Sequence, residues 1–233
     1  MTDHIAQNWQ HTQAQVMAAA TAAGREPSSI NILAVSKTFT LAAVEAAWQA
    51  GARHFGENYV QEGVEKIQQC TLSPITWHFI GPLQSNKTRQ VAAHFDWVHT
   101  VDRLKIAQRL NDQRPLSQAP LAVCIQVNIS ADPNKSGVSP ADLPALAAAI
   151  DNLPQLELRG LMTIPALDLS PAELANDFAS MAQLMHNLAQ HYPSIDTLSM
   201  GMSDDLELAV AQGSTCVRVG RGIFGERQRK GAL

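Results

Sequence analysis

The stretch ILAVSKTFTLAAVEAAWQAGARHFGE, residues 32–57, contains two short apolar runs separated by a helix-like segment. Leu41, Val44 and Trp48 recur at i, i+3 and i+7, which is the spacing of one apolar helical face. Gly51 follows as a typical helix stop, just before the second run. Two strands joined by a helix predict a crossover connection and therefore a parallel sheet.

The same alternation of short apolar runs and helix-like segments continues along the chain. The runs cover residues 31–35, 53–57, 76–80, 97–101, 121–129, 156–164, 195–200 and 215–220. Eight strand–helix units in 233 residues predict an α/β fold, a single (β/α)8 barrel, with a doubly wound open sheet as the alternative. We expect one domain over residues 1–233, with an extra N-terminal helix over residues 2–23 that ends at Gly24.

Serine and proline mark where two of the helices are expected to begin. Ser139-Pro140-Ala141-Asp142 and Ser170-Pro171-Ala172-Glu173 each place a capping serine before a first-turn proline, with an acid at the third helical position. Helices are therefore predicted to begin at Pro140 and Pro171. Near the end of the chain, Ser203 or Asp204 is predicted to cap a helix that runs to Gly213.

Composition narrows the class of protein. The chain is 45% hydrophobic and 16% charged, with a formal net charge of -4 and no run of basic residues, so we expect neither nucleic acid nor a membrane surface as a partner. The three cysteines are far apart and are expected to be reduced thiols. With no signal-like segment, the expected location is the cytoplasm and the default partner is a small molecule.

Lys37 directly follows the first predicted strand, at the end of the barrel where active sites lie. Two interpretations are open. Lys37 is either a solvated lysine at a strand end, or an amine in apolar surroundings that condenses with a carbonyl compound. Its position alone does not choose between them.

Two glycine-containing turns follow the last two predicted strands. SMGMSDD, residues 199–205, and GRGIFG, residues 220–225, come at the positions where barrels of this class often bind phosphate. The second turn matches G-x-G-x-x-G, but a dinucleotide site needs a further helix, a strand and an acidic residue after it, and the sequence ends at Leu233. We therefore interpret both turns as phosphate sites, which together with Lys37 suggest a phosphorylated carbonyl compound.

Arg218 lies in the last predicted strand. By alternation it shares a face with Cys216 and Gly220, while Val217 and Val219 point the other way. Arg218 is either a cation inside the barrel, beneath the phosphate turns, or an arginine paired with a carboxylate on the exterior.

Six motifs spread from Ile32 to Arg227 carry a resemblance to a known family. They are ILAVSKTFT, HFGENYVQE, WHFIGPLQSNK, GLMTIP, LSMGMSDDLELAV and VRVGRGIFGER. Together they resemble the pyridoxal 5'-phosphate homeostasis family, also called proline synthase co-transcribed or YggS-type proteins. The resemblance implies a single barrel like the N-terminal domain of alanine racemase, with pyridoxal 5'-phosphate (PLP) held as a Schiff base on Lys37.

The resemblance also assigns roles to other residues. Arg218 is expected to face the pyridine nitrogen, and Asn58 and His78 to lie near the cofactor ring. Asn58 has the alternative of capping the helix that starts at Tyr59, and His78 that of a satisfied core histidine. The residues expected at the phosphate are Ser199, Gly201, Met202, Ser203, Gly220, Arg221 and Gly222.

An arginine at the pyridine nitrogen constrains the chemistry. It only donates hydrogen bonds, so the nitrogen stays unprotonated and PLP is a weak electron sink. The resemblance therefore implies a monomeric PLP carrier that sequesters the cofactor or delivers it to PLP-dependent apoenzymes, balancing vitamin B6 and amino acid pools without robust turnover. Two alternatives are a one-base amino acid racemase with Tyr59 on the second face, and a Schiff-base aldolase for a phosphorylated sugar.

Overall fold

A computed structural model describes residues 3–226, in which eight parallel strands form a closed barrel. The strands are β1 (Asn31–Val35), β2 (His54–Glu57), β3 (Thr76–Phe79), β4 (Trp97–Val101), β5 (Leu121–Gln126), β6 (Leu156–Met162), β7 (Thr197–Ser199) and β8 (Cys216–Val219). Each strand pairs with the next along the chain, and β8 pairs with β1. The predicted barrel is confirmed, and the open-sheet alternative is wrong.

Helices connect successive strands and surround the barrel. They are α1 (Asp3–Ala22), α2 (Leu41–Gln49), α3 (Val60–Gln69), α4 (Thr88–His94), α5 (Leu104–Gln113), α6 (Leu143–Asp151), α7 (Pro171–Ala189), α8 (Leu206–Ala211) and α9 (Arg221–Phe224). A short 3-10 turn, Pro27–Ser29, leads into β1. Of the predicted boundaries, Thr2 and Arg227 lie outside the described residues.

The predicted extra helix, α1, covers the part of the helical layer next to β8. Its buried residues follow helical spacing and include Ile5, Trp9, Thr12 and Val16. This stripe packs against α2, α8 and α9. The Asn8 side-chain amide donates to the carbonyl of Ile223 in α9 at 3.0 Å. Helix α1 therefore supports the turn that follows β8.

Strand alternation divides the apolar residues into two sets. The larger set lies between the barrel wall and the helices, where Phe55, Phe79 and Phe95 are fully buried. A smaller cluster, formed by Leu33, Val35, Ile80 and Cys216, is separate from it. Leu33 and Cys216 belong to the alternating set of β1 and β8 that faces the barrel interior, the same set as Arg218.

Two of the three predicted helix starts need correction. Helix α6 begins at Leu143 and not at Pro140, because Ser139 bonds to the backbone N–H and carboxylate of Asp142 and forms a separate turn before the helix. Helix α8 begins at Leu206 with Asp205 before it, and neither Ser203 nor Asp204 is its N-cap residue. The carboxylate of Asp205 instead accepts the backbone N–H of Met202, which ties the turn back onto itself.

Helix α7 begins at Pro171 as predicted, with a complete capping box. The Ser170 hydroxyl accepts the backbone N–H of Glu173, and the Glu173 carboxylate accepts the backbone N–H of Ser170. Both contacts satisfy N–H groups that have no partner within the helix.

Replacing Ser170 by alanine is expected to lower the free energy of unfolding by about 1 kcal/mol, the usual cost of losing a serine N-cap. Urea unfolding followed by circular dichroism measures the change. Ser139→Ala is the control, because Ser139 does not cap α6 directly, and we expect a smaller loss there. Equal losses in the two variants would contradict the assigned helix starts.

Cys70, Cys124 and Cys216 are free thiols, and Cys124 and Cys216 are buried. Burial raises the pKa of Cys216 to about 11, so it stays protonated. Among the helices within residues 3–226, none has the length and apolar character needed to cross a membrane.

Candidate functional site

Lys37 lies at the C-terminal mouth of the barrel. The backbone N–H of Ser36 donates to the carbonyl of Gly56 at 3.0 Å, so the pairing of β1 and β2 continues one residue past β1. Lys37 is the first residue of the turn that follows, and its side chain is half-buried. Leu33 and Val35, the residues of β1 that precede it, face the barrel interior. The predicted position at the end of β1 is confirmed.

Arg218 points into the barrel and is 5% exposed. Its Nη1 donates to the carbonyl and the hydroxyl of Ser199 at 2.7 and 2.8 Å, and its Nη2 donates to the carbonyl of Thr163 at 2.9 Å. The exterior alternative is wrong, because these partners come from the ends of β6 and β7. Burial lowers the pKa of the guanidinium, yet Arg218 stays charged at neutral pH.

The turns after β7 and β8 lie side by side. The carbonyl of Gly201, a residue with φ of 93°, accepts the backbone N–H of Arg218 at 2.9 Å. A Cβ atom on Gly222 would lie 3.6 Å from the Ser203 hydroxyl. Arg221 in the second turn pairs with Asp204 in the first. The two predicted phosphate turns therefore form one continuous surface.

The predicted phosphate residues differ in exposure. Met202 and Ser203 are exposed, as are Arg221 and Gly222. Ser199 is fully buried, and its hydroxyl is bonded to Arg218 and to a histidine from β4. This geometry makes Ser199 a support for the arginine, and its contact with a phosphate stays a prediction.

Asn58 follows β2 at the same mouth. The capping alternative is wrong, because Tyr59 is the N-cap residue of α3 and the Gln61 side chain bonds to Glu65 instead. The side-chain oxygen of Asn58 is buried and has no hydrogen-bond partner among the described residues. Gly81 packs against the Asn58 backbone so closely that a Cβ atom there would lie 2.1 Å from the Asn58 carbonyl oxygen. Asn58 is thus a fixed acceptor at the barrel mouth.

A groove of about 530 Å³ opens beside Asn58. Tyr59, Gln84 and Lys87 contribute to its walls. Tyr59 is 53% exposed. The groove adjoins the residues that follow β2 and β3.

Three histidines form a column inside the barrel. His54 Nδ1 lies 3.0 Å from His78 Nε2, and His78 Nδ1 lies 2.9 Å from His99 Nε2. The column ends at Ser199, whose hydroxyl is 3.0 Å from His99 Nδ1 and is shared with Arg218. Because both ring nitrogens of His78 are bonded, its surroundings are those of a satisfied core histidine. A contact of His78 with a cofactor stays a prediction.

The opposite end of the column reaches a small cavity of about 30 Å³ at the N-terminal end of the barrel. Its volume corresponds to about one water molecule. Asn31 and Thr197 line it together with the histidines. The column therefore extends from this cavity to the arginine.

Burial keeps the histidine column neutral. Burial, the positive charge of Arg218 and His54 lower the pKa of His99 to about 3. Burial and the two neighbouring histidines lower the pKa of His78 well below its usual value. A neutral imidazole has one donor and one acceptor, so each histidine of the column donates to one neighbour and accepts from the other. The hydrogen bonds along the column therefore all point in the same direction.

The sequence alone does not connect His99 with Arg218. Alternation places His99 on the same face of β4 as Trp97, but it does not indicate Arg218 as a neighbour. The residues within 3–226 contain no cluster of His, Cys, Asp and Glu side chains suited to a metal ion.

The comparisons with known proteins agree with this geometry. Residues 2–228 match the family model described as alanine racemase, N-terminal domain. A pyridoxal phosphate homeostasis protein of Vibrio cholerae is 56% identical over 228 residues, and its counterpart in Escherichia coli is 54% identical over 226 residues. The matches cover 96% of this chain in both cases, and 96% and 97% of the two relatives.

The chain is also similar to proteins of known structure. PipY of Synechococcus elongatus with PLP bound is 40% identical and superimposes with a TM-score of 0.82, covering 95% of this chain and 100% of PipY. Alanine racemase of Corynebacterium glutamicum, at 16% identity and a TM-score of 0.73, shares the fold alone, and the match covers 62% of that chain.

Proposed function

Because the chain belongs to the family of pyridoxal phosphate homeostasis proteins, we propose that it binds PLP at the C-terminal mouth of its barrel, as a Schiff base on Lys37. The observation that carries this proposal is the joint placement of Lys37, Arg218 and the two turns after β7 and β8 at that mouth. PipY, a relative at 40% identity, has been solved with PLP bound.

The residues of the mouth fit a phosphorylated aldehyde. An amine on a half-buried turn suits the aldehyde. The turns around Gly201 and Gly222 offer backbone N–H groups, the Ser203 hydroxyl and little side-chain bulk to a phosphate. The buried oxygen of Asn58 lacks a donor among the described residues, which a polar ligand supplies.

The contacts of Arg218 favour a role as a PLP carrier over a catalytic role. When bound, PLP supplies an electron sink through its pyridine nitrogen. The Arg218 guanidinium is held by Ser199 and Thr163 and only donates hydrogen bonds, so next to that nitrogen it keeps the nitrogen unprotonated. Racemisation also needs acid–base groups on both faces of the substrate, and Tyr59, the residue considered for the second face, is 53% exposed.

We further propose that the protein acts in the cytoplasm as a monomeric, single-domain carrier. It sequesters PLP or passes it to PLP-dependent apoenzymes, and in this way keeps vitamin B6 and amino acid pools balanced. The groove next to Asn58 supports this role, because it leaves one side of the mouth open to an incoming amine.

Adding PLP to the purified protein is expected to give an absorbance band near ~420 nm that Lys37→Ala lacks. The band reports a covalent link between PLP and an amine of the protein. The Lys37→Ala substitution removes the amine of Lys37. Lys87→Ala is the matched control, since Lys87 is a lysine of the adjoining groove, and it should keep the band. Equal bands in the wild type and Lys37→Ala would refute the assignment of the anchor.

A further inference from the structure

Lys66 on α3 is a buried lysine whose ammonium group has three oxygen partners. Its side chain is 8% exposed. Its Nζ donates to Oε1 of Glu57 at 2.8 Å, to Oε1 of Glu62 at 2.7 Å and to the carbonyl of Ser36 at 2.8 Å. An ammonium group has three donors, so these contacts satisfy all of them. Lys66 therefore has one fixed geometry between α3 and the ends of β1 and β2.

The partners of Lys66 reach the residues on both sides of Lys37. Oε1 of Glu57 also accepts the Ser36 hydroxyl at 2.6 Å, and Oε1 of Glu62 accepts the backbone N–H of Thr38 at 2.6 Å. The Lys66 ammonium group is thus linked, directly or through a glutamate carboxylate, to Ser36 and Thr38, the residues on either side of Lys37.

Thr38 shows why such a contact is needed. Its φ is 70°, in the left-handed region that a β-branched residue rarely adopts. A conformation of this kind costs free energy and persists only where the surroundings hold it. The bond from the Thr38 N–H to Glu62, which Lys66 orients, is such a restraint.

Helix α3 is pressed against the strand ends at this point. A Cβ atom on Gly63 would lie 3.2 Å from Cβ of Glu57 and 2.6 Å from the ring of Phe95. The close approach brings Glu62 and Lys66, on either side of Gly63 in α3, onto the end of β2. The cluster is therefore held by backbone packing as well as by its charges.

Stability alone does not explain these charges. Glu57 is fully buried, its Oε2 has no hydrogen-bond partner among the described residues, and burial raises its pKa while Lys66 lowers it. Replacing buried ion pairs by apolar side chains is often neutral or stabilising. A positioning role accounts for the buried charges, because their contacts hold the segment around Lys37 in place.

We propose that Lys66 is the positioning residue for Lys37. Through Ser36, Glu62 and Thr38 it fixes the turn that presents the Lys37 amine to the barrel mouth. The inference rests on the proposed role of Lys37 as the attachment point of PLP.

Lys66→Met removes the charge and keeps most of the volume. We expect amide exchange of Thr38, measured by NMR in the PLP-free protein, to accelerate about tenfold or more, because its acceptor loses its orientation. The rate constant for growth of the ~420 nm band should fall roughly ten- to hundredfold, since a misplacement of about 1 Å costs up to ~100-fold. Lys105→Met, at an exposed lysine on α5, is the control and should leave both rates unchanged.

A second variant keeps the test decisive if Lys66→Met fails to fold. Glu62→Ala removes the acceptor of the Thr38 N–H, but leaves the pair of Lys66 with Glu57, and the Glu62 side chain is 29% exposed. It should reproduce both effects in a folded protein. Glu65→Ala is its matched control, because Glu65 is exposed on the same helix and bonds to Gln61.

The outcomes separate the two proposals. If the wild type shows a band that depends on Lys37, and the folded variants attach PLP at the wild-type rate with Thr38 still protected, the role of Lys66 is refuted and the proposed function stands. If the wild type shows no band that depends on Lys37, the proposed function fails, and the role of Lys66 fails with it.

Discussion

A Gly160→Ala protein is expected to lose the native barrel. A Cβ atom on Gly160 would lie 1.7 Å from the carbonyl oxygen of Thr197 and 2.6 Å from its carbonyl carbon. Gly160 and Thr197 are paired between β6 and β7, so a Cβ atom fixed by one backbone would meet the backbone carbonyl of the other. No side-chain rotation relieves it, and we expect a loss above about 4 kcal/mol in the free energy of unfolding, the range reserved for exceptional substitutions.

Circular dichroism and urea unfolding of Gly160→Ala test this expectation. Gly220→Ala is the control, because its added Cβ atom would lie 3.5 Å from the nearest atom, the carbonyl oxygen of Val35, which is an ordinary contact. Its free energy of unfolding should change by less than about 1 kcal/mol. A Gly160→Ala protein as stable as the control would show that β6 and β7 do not pair in this register.

The strands could be predicted because their residues alternate between two apolar environments. The residues at which the strands end could be predicted less closely. Strand β5 was predicted to reach residue 129 and ends at Gln126. The apolar residues continue beyond it, but Val127 forms an isolated bridge with Val138, and Asn128 donates to the Val138 carbonyl. The backbone N–H of Val127 still donates to the carbonyl of Met162 in β6, so beyond Gln126 the chain has β6 on one side and a loop on the other, which composition does not show.

The helix starts show a similar limit. Ser170 and Ser139 stand in the same local pattern, yet only Ser170 caps the helix beside it. The chain around Ser139 first has to leave the loop that pairs with β5, and it makes a turn before α6 begins. Local sequence therefore predicts that a helix starts, while tertiary contacts decide at which residue.

Alternation placed Arg218 on one face with Cys216 and Gly220, but it left the choice between interior and exterior open and did not reveal the partners of Arg218. Alternation says which face of one strand a side chain occupies. The contact of Ser199 with His99 joins residues 100 positions apart, and it depends on how the strands are staggered around the barrel. That stagger is set by the packing of the whole ring, so a single sequence does not reveal it.

Acid is expected to destabilise the protein through the histidine column. Folded His99 has a pKa lowered to about 3 by burial and by Arg218, whereas the unfolded side chain has the ordinary value of 6.5. Between these values the unfolded chain binds the proton and the folded one does not. The contribution of His99 to stability is therefore complete above pH ~6.5 and is lost as the pH falls toward ~3.

One proton bound only by the unfolded state changes the free energy of unfolding by about 1.4 kcal/mol per pH unit. Buried carboxyls act in the opposite direction, since burial raises the pKa values of Glu57, Asp96 and Asp205, and their protonation favours the folded state. The net curve of the wild type mixes both kinds of group. The effect of His99 has to be taken from the difference between two proteins.

His99→Gln supplies that difference, because a glutamine amide hydrogen-bonds but does not titrate. Urea unfolding at pH 7, 6, 5 and 4 should give a wild-type curve that falls more steeply than the variant curve, by up to about 1.4 kcal/mol per pH unit below pH 6. The carboxyls are common to both proteins, so their part cancels. Parallel curves would mean that folded His99 takes up its proton near the ordinary pKa, and that the column beneath Arg218 is open to water.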